Sequence, residues 1–283
     1  MGLPMPDPSP PAGDPVALSR ATMPVGTEVL LETRTLAASH RRLAELLRPG
    51  MRVLDVGCGS GAITRGIAAA VGPAGEVVGL DLSPHLVERA AELSTGQPNL
   101  RFEVGSVLDA PYGAEFDVVT AARVLQWLAH PLAALRAMVS LARPGGWVVV
   151  LDYDHLKAEW EPAPPPAFAR FYAAFLAWRS DAGMDNAIAE RLPAMFRECG
   201  LLDVSDSDES ESTDPSDPAY PAHAALWCDV AATRGHQLVA DGVLTETERA
   251  DAEREMRRWV ERREGRQTLR LRACVGRTPA AAA

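Results

Sequence analysis

No apolar stretch in this chain approaches the roughly 18 to 20 residues that a membrane-spanning helix needs, and the N-terminus lacks a basic region followed by an apolar one. Neither a membrane partner nor a secretory signal is therefore expected. Cysteine is scarce. Cys58, Cys199, Cys228 and Cys274 have no metal-ligand spacing and suggest no disulfide framework, so no metal is expected and the cytoplasm is the expected compartment. Basic residues are also short: 28 Lys and Arg against 38 Asp and Glu give a formal net charge of -10, which argues against a general nucleic-acid surface. Arg257, Arg258, Arg262, Arg263 and Arg266 do cluster, but interspersed glutamates make them a solvated helix face. Apolar residues are plentiful: 47% hydrophobic content over 283 positions suffices for a real core in one large domain, with or without an addition.

Residues 53 to 61 read Val-Leu-Asp-Val-Gly-Cys-Gly-Ser-Gly, and Asp81 lies twenty positions beyond the last glycine. Val53, Leu54 and Val56 suit a buried parallel strand. Gly57, Gly59 and Gly61 allow a tight turn that brings backbone close to a ligand at the start of the next helix. Asp81 ends a second apolar run, Val77-Val78-Gly79-Leu80, where a carboxylate can accept both ribose hydroxyl protons. Gly57, Gly59 and Ala62 also satisfy the dinucleotide pattern G-x-G-x-x-G/A. Asp55 distinguishes the two readings, because a carboxylate there repels a pyrophosphate and favours a cofactor carrying an ammonium and a sulfonium. The segment VLDVGCGSG closely resembles motif I of class I S-adenosylmethionine (SAM)-dependent methyltransferases.

Around this motif, strands are expected at 52–56, 76–80, 100–104, 116–121 and 147–153, with helices after the first two and at about 131–142. That alternation predicts a parallel sheet with helices on both faces, and ligands at the carboxyl ends of the strands. The first fifteen residues hold six prolines, so residues 1–20 read as a disordered leader with structure beginning near Ala21. Apolar spacing predicts one helix from Val25 to Leu47, and others at Ala167–Arg179, Ile188–Cys199 and Ala222–Val239. Thr245 and Glu248 form a capping-box signature for a helix running to about Arg263. Strands at 202–212 and 267–276 complete the sheet. In the first, Asp206, Asp208 and Glu209 can oppose Arg270 and Arg272. The fold predicted is thus α/β, a doubly wound, seven-stranded Rossmann-like sheet over residues 21–283. Helical segments lie at about 156–200 and 219–263, the latter an insertion before the last strand that reads as a buttress, a substrate lid or a dimer contact.

The resemblance spans roughly residues 24 to 155 and implies SAM as cofactor. It places Asp55, Gly57, Cys58, Gly59 and Gly61 around the methionine end, Asp81 on the ribose, and Leu82 and Leu86 beside adenine. Ser106, where the family commonly carries an aspartate, and the backbone of Val107 would recognise the adenine edge. The segment Thr120 to Trp127 matches the turn facing the methionine moiety and the substrate. Arg123 there can bind a carboxylate or form a structural salt bridge, and Trp127 can be core or an aromatic wall beside the methyl.

Methyl transfer asks mainly for in-line placement of the acceptor; a base matters only if the acceptor holds a proton. His155, just past the fifth strand, is the candidate general base. Aromatics are only 6% of the chain yet concentrate in Trp160, Phe168, Phe171, Tyr172, Phe175 and Trp178. Phe171, Tyr172 and Trp178, with Trp127 and Tyr153, are therefore the expected acceptor pocket. The activity expected is methylation of a small metabolite at O, N or C by a monomer or homodimer. The alternatives are non-methylating SAM chemistry such as cyclisation, or a SAM-binding regulatory module.

Overall fold

The computed structural model describes residues 15–24, 26 and 31–281. Among the described residues, short helices come first, including α1 (Pro15–Ala21), α2 (Leu36–Ser39) and α3 (Arg41–Leu46). The alternating part then runs β1 (Arg52–Val56), α4 (Ala62–Val71), β2 (Glu76–Asp81), α5 (Pro84–Leu93), β3 (Leu100–Val104), β4 (Phe116–Ala122), α6 (Pro131–Leu141) and β5 (Ala142–Glu161). Two helices, α7 (Pro166–Asp181) and α8 (Ile188–Glu198), lead to β6 (Leu202–Asp208) and β7 (Glu211–Thr213). The insertion holds α9 (Tyr220–Ala224), α10 (Leu226–Ala232), α11 (Gly235–Ala240) and α12 (Glu246–Glu261), and β8 (Arg266–Arg277) closes the sheet.

The strand order is β3-β2-β1-β4-β5-β8-β6, with β7 also on β8. The first five strands are parallel, and β8 runs antiparallel to β5, β6 and β7. Successive residues of the parallel strands face opposite layers. Val53, Val77, Val118 and Val149 pack with Leu43, Ile63 and Ile67 of α3 and α4. Their neighbours Leu54, Val78, Val119 and Val148 pack with Leu135 and Met138 of α6 and Leu192 and Phe196 of α8. Both faces are covered, so the strands read as continuous apolar runs.

The doubly wound α/β sheet is as expected, with differences of physical origin. The sheet has eight strands because the chain turns between β6 and β7, where the Asp208 carboxylate accepts the Ser210 N–H at 2.8 Å. Of the acids expected to face arginines, Asp206 pairs with Arg272, while Arg270 pairs with Glu159 and Glu209 with Arg41. The helix expected over 25–47 lies outside the described residues at 25 and 27–30, and from 31 onward it is interrupted: Thr35 caps α2 by accepting the Ala38 N–H, and His40 separates α2 from α3. The leader expected over 1–20 lies outside the described residues up to 14, but 15–20 belong to α1. The helix expected over 222–239 is three short ones.

These short helices and α12 pack on β5, β8 and α7. Trp227, Met256, Trp259 and Val260 form one buried cluster with Phe168, Phe171 and Phe175 and with Leu269 and Leu271 of β8. Thr245 and Glu248 make both bonds of the capping box that starts α12. No helix among the described residues is long and apolar enough to cross a membrane. With Trp259 buried in this cluster, Trp259→Ala should lower unfolding free energy by about 3 to 5 kcal/mol in chemical denaturation. Replacing 219–263 by a short turn should abolish cooperative unfolding; a stable, SAM-binding remnant would count against the buttress.

Candidate active site

The carboxyl ends of β1, β2, β3 and β4 surround a cavity of ≈ 480 Å³, within the usual small-molecule range of about 300–1,000 Å³. Its floor is the turn after β1. Gly57 and Cys58 both donate to the Leu80 carbonyl, at 2.7 and 3.1 Å, which ties the turn to β2. Gly57 has φ +69°, and a Cβ there would stand 2.4 Å from Val124, so only glycine lets the β1 and β4 turns meet. Gly59 also has positive φ, +54°, and presents its N–H to Asp81 at 2.8 Å. The second carboxylate oxygen of Asp81 accepts the Ser83 N–H at 2.9 Å, so this side chain is fixed at the end of β2.

Asp55 lies under the turn, 3% exposed, and accepts the Thr64 hydroxyl proton at 2.7 Å. Burial pushes its carboxyl up to about 7, opposed by the Thr64 bond and reinforced by Asp81. At the end of β3, the Ser106 hydroxyl oxygen accepts the Leu108 N–H at 3.1 Å and caps a single helical turn, leaving its own proton to donate. Asp55, Gly57, Cys58, Gly59, Asp81, Leu82, Ser106 and Val107 all line the cavity. Gly61 does not; it starts α4, and a Cβ there would meet Phe102 at 2.6 Å.

Arg123 borders the cavity with its hydrogen-bonding capacity largely spent. In an unusual φ of +64°, it donates to the Tyr153 hydroxyl and the Ser39 carbonyl, both at 3.1 Å, and pairs with Glu211. The salt-bridge reading thus fits better than a free carboxylate binder. Arg34 lines the same cavity, where Tyr153 and Glu211 favour its charge. Its basicity is lowered by burial first and then by Arg123. Neither Arg34 nor the α1 side, with Ala17, Leu18, Ala21 and Met23, was expected from sequence. Pro15 at the first helical position was the one local signal for α1.

Of the expected acceptor-pocket residues only Trp127 lines the cavity. Tyr153, Phe171, Tyr172 and Trp178 are part of the cluster beneath the insertion, because Trp227 fills the space beside them. The Trp227 ring lies 4.7 Å from Tyr172, 5.6 Å from Phe175 and 6.1 Å from His155. His155 is likewise outside the cavity, 6% exposed, with Nε2 2.7 Å from Gln126 Oε1. That oxygen also accepts from Arg179 at 3.0 Å, so the imidazole nitrogen is the donor. Burial, then Arg179, holds His155 neutral, well below its ordinary value. A ring that is buried and does not line the cavity is poorly placed to take a proton from an acceptor there.

A family profile described as a methyltransferase domain matches residues 47–187. Demethylmenaquinone methyltransferase of Staphylococcus aureus (strain JH9) is 30% identical over 170 residues, covering 56% of this chain and 70% of that protein. Among solved structures, the YcgJ protein of Bacillus subtilis has a TM-score of 0.56 at 18% identity, over 86% of this chain and 99% of that one. Phosphoethanolamine N-methyltransferase 2 of Haemonchus contortus, solved with SAM, has a TM-score of 0.53 at 14% identity, over 91% of this chain and 54% of that one. The chain belongs to the class I SAM-dependent methyltransferases, and SAM is its cofactor. The donor set fits: two carboxylates at adjacent strand ends suit an ammonium and a ribose diol, and the Gly59 backbone lies open to the cavity.

Asp81→Ala should weaken SAM binding by about 1.5 to 3 kcal/mol, since charge-assisted hydrogen bonds to the ribose are lost; calorimetry with unchanged affinity would refute that contact. With its carboxyl near 7, Asp55 is largely protonated at pH 5.5 and largely charged above pH 7.5. SAM affinity should therefore rise with pH across that interval, and Asp55→Asn should bind weakly with a flatter profile. Parallel profiles for the two proteins would show that Asp55 does not face the ammonium.

Proposed function

We propose that this SAM-dependent methyltransferase acts on a predominantly apolar small molecule, held between the β4 turn and α1. The observation that carries this reading is the lining away from the glycine turn: Ala17, Leu18, Ala21, Leu128, Ala129 and Ala133 offer apolar surface and no carboxylate. The name of the Staphylococcus aureus relative, which denotes a quinone acceptor, agrees with such a cavity. The cofactor supplies a methyl group already activated by a sulfonium, so the chain's own task is placement and exclusion of water. The α1 side closes the cavity, and Trp127 forms its wall. Among the described residues lining the cavity, Arg34 would favour an anionic oxygen over its protonated form, sharing its charge with Tyr153 and Glu211, and His155 is not needed as a base. All four cysteines are free, in keeping with a cytoplasmic enzyme, and the net charge of -10 disfavours a nucleic-acid substrate for the monomer or homodimer.

The test is product analysis after incubation with SAM and, separately, reduced 1,4-naphthoquinone, a simple phenol, an amino acid and phosphoethanolamine. S-adenosylhomocysteine should form with the apolar acceptors. Its formation with the polar amines alone would overturn the reading, and methylthioadenosine would indicate cyclisation. His155→Gln should keep the shape of the pH–rate profile; loss of an acidic limb would restore His155 as the base.

A further inference from the structure

The insertion and the N-terminal helix meet at one buried guanidinium. Arg234 stands in the turn between α10 and α11 and is 3% exposed. Its Nη1 donates to the Arg20 carbonyl at 2.9 Å, and its Nη2 to the Met23 sulfur at 3.2 Å. The carbonyls of Ala21 and Thr22 lie 3.5 Å away. These are carbonyls at the end of α1, which have no partner within their own helix and carry the negative end of its dipole. Gln237 adds bonds to the Ser19 and Thr22 carbonyls. Arg20 fixes the outer side of α1 through Asp181, Asp241 and the Trp178 carbonyl.

The same guanidinium carbon lies 3.8 Å from the ring centroid of Trp127, and that of Arg179 lies 4.5 Å from it. Both cations are buried and neither has an ion-pair partner among the described residues. Burial pulls Arg234 down to about 9. A charge kept under such conditions needs every carbonyl and ring face it can reach, and here those belong to both walls of the acceptor end. Ala17, Leu18 and Ala21 present α1 to the cavity from one side, and Trp127 lines it from the β4 turn.

We propose that Arg234 is a positioning residue that sets the shape of the acceptor end, holding α1 and Trp127 in one fixed relation. The insertion, on this view, reaches the reaction without touching substrate. The functional consequence rests on the acceptor reading given above; the latch itself does not.

Amide hydrogen exchange on the full chain with S-adenosylhomocysteine bound tests the latch without any acceptor. In Arg234→Gln, exchange over residues 15–24 should quicken tenfold or more, while β1, β4 and β8 keep their protection and S-adenosylhomocysteine affinity stays within threefold. Trp127→Leu should quicken the same segment, and the double variant should release it no further, because one contact has been broken twice. With reduced 1,4-naphthoquinone as acceptor, Arg234→Gln should raise KM by tenfold or more with a smaller change in kcat. Should Arg234→Gln fail to fold, Arg234→Lys, which keeps the charge but spans fewer carbonyls, is judged by the same exchange criterion. Unchanged exchange over 15–24 in a folded variant overturns the proposal. Quickened exchange with an unchanged KM also overturns it, since the latch would then not shape the acceptor end; absence of turnover in wild type indicts the acceptor reading alone.

Discussion

The pairing of β8 along β5 is the constraint on which the acceptor side of the molecule depends. The two strands run antiparallel from Trp147 and Arg277 to Glu161 and Arg266, with a break in register between Asp154 and Glu159. Because β8 returns at the far end of β5, the insertion that precedes it must start and finish beside α7. Its helices then have one apolar place to go, the face made by Leu151, Tyr153, Leu269 and Leu271. That packing carries Arg234 to Trp127 and to the end of α1. The end of α1, Trp127 and Arg234 are thus brought together from three distant parts of the chain.

The cofactor end is built in the opposite way. Asp55, the glycine turn, Asp81 and Ser106 each sit within a few residues of a strand terminus, and backbone N–H groups hold Asp81. Such an arrangement is written in local sequence, which is why an apolar run, a carboxylate, glycines and a later aspartate pointed to residues that line one cavity. The same locality explains why Arg123 was ambiguous. Its position at a strand end was legible, but its Glu211 partner lies on another strand far along the chain.

What sequence reading missed depends on which face an element buries. Alternation along β5 places Tyr153 and His155 on one side of the strand, yet says nothing of what covers that side. Trp227 covers it, and the aromatics that suggested a pocket pack in one buried cluster with the insertion. The break of the expected helix over 222–239 has a similar cause. Gly235 admits no side chain, since a Cβ there would meet Arg249 at 2.8 Å, and Arg234 turns inward to reach α1. Neither contact leaves a periodic trace. Helix α1 was passed over because its few apolar residues look like part of a proline-rich leader until Arg20 and Arg234 supply partners.

Behind Trp127 a buried polar network completes the argument. Asp152, pushed up to about 7 by burial, accepts the Gln126 N–H at 3.2 Å. Gln126 Oε1 accepts from His155 and Arg179, and the Gln126 carbonyl accepts from Arg179 at 2.7 Å. Arg179 Nε has no hydrogen-bond partner among the described residues, so the network is held by the bonds that converge on Gln126. His155 therefore contributes by fixing Gln126, and through it the turn that carries Trp127. A general base would need the imidazole to become charged, which burial and then Arg179 oppose. The architecture favours a wall that does not move, behind a reaction whose leaving group is supplied by the cofactor. The proposed catalysis by placement agrees with a buried, neutral histidine that does not line the cavity.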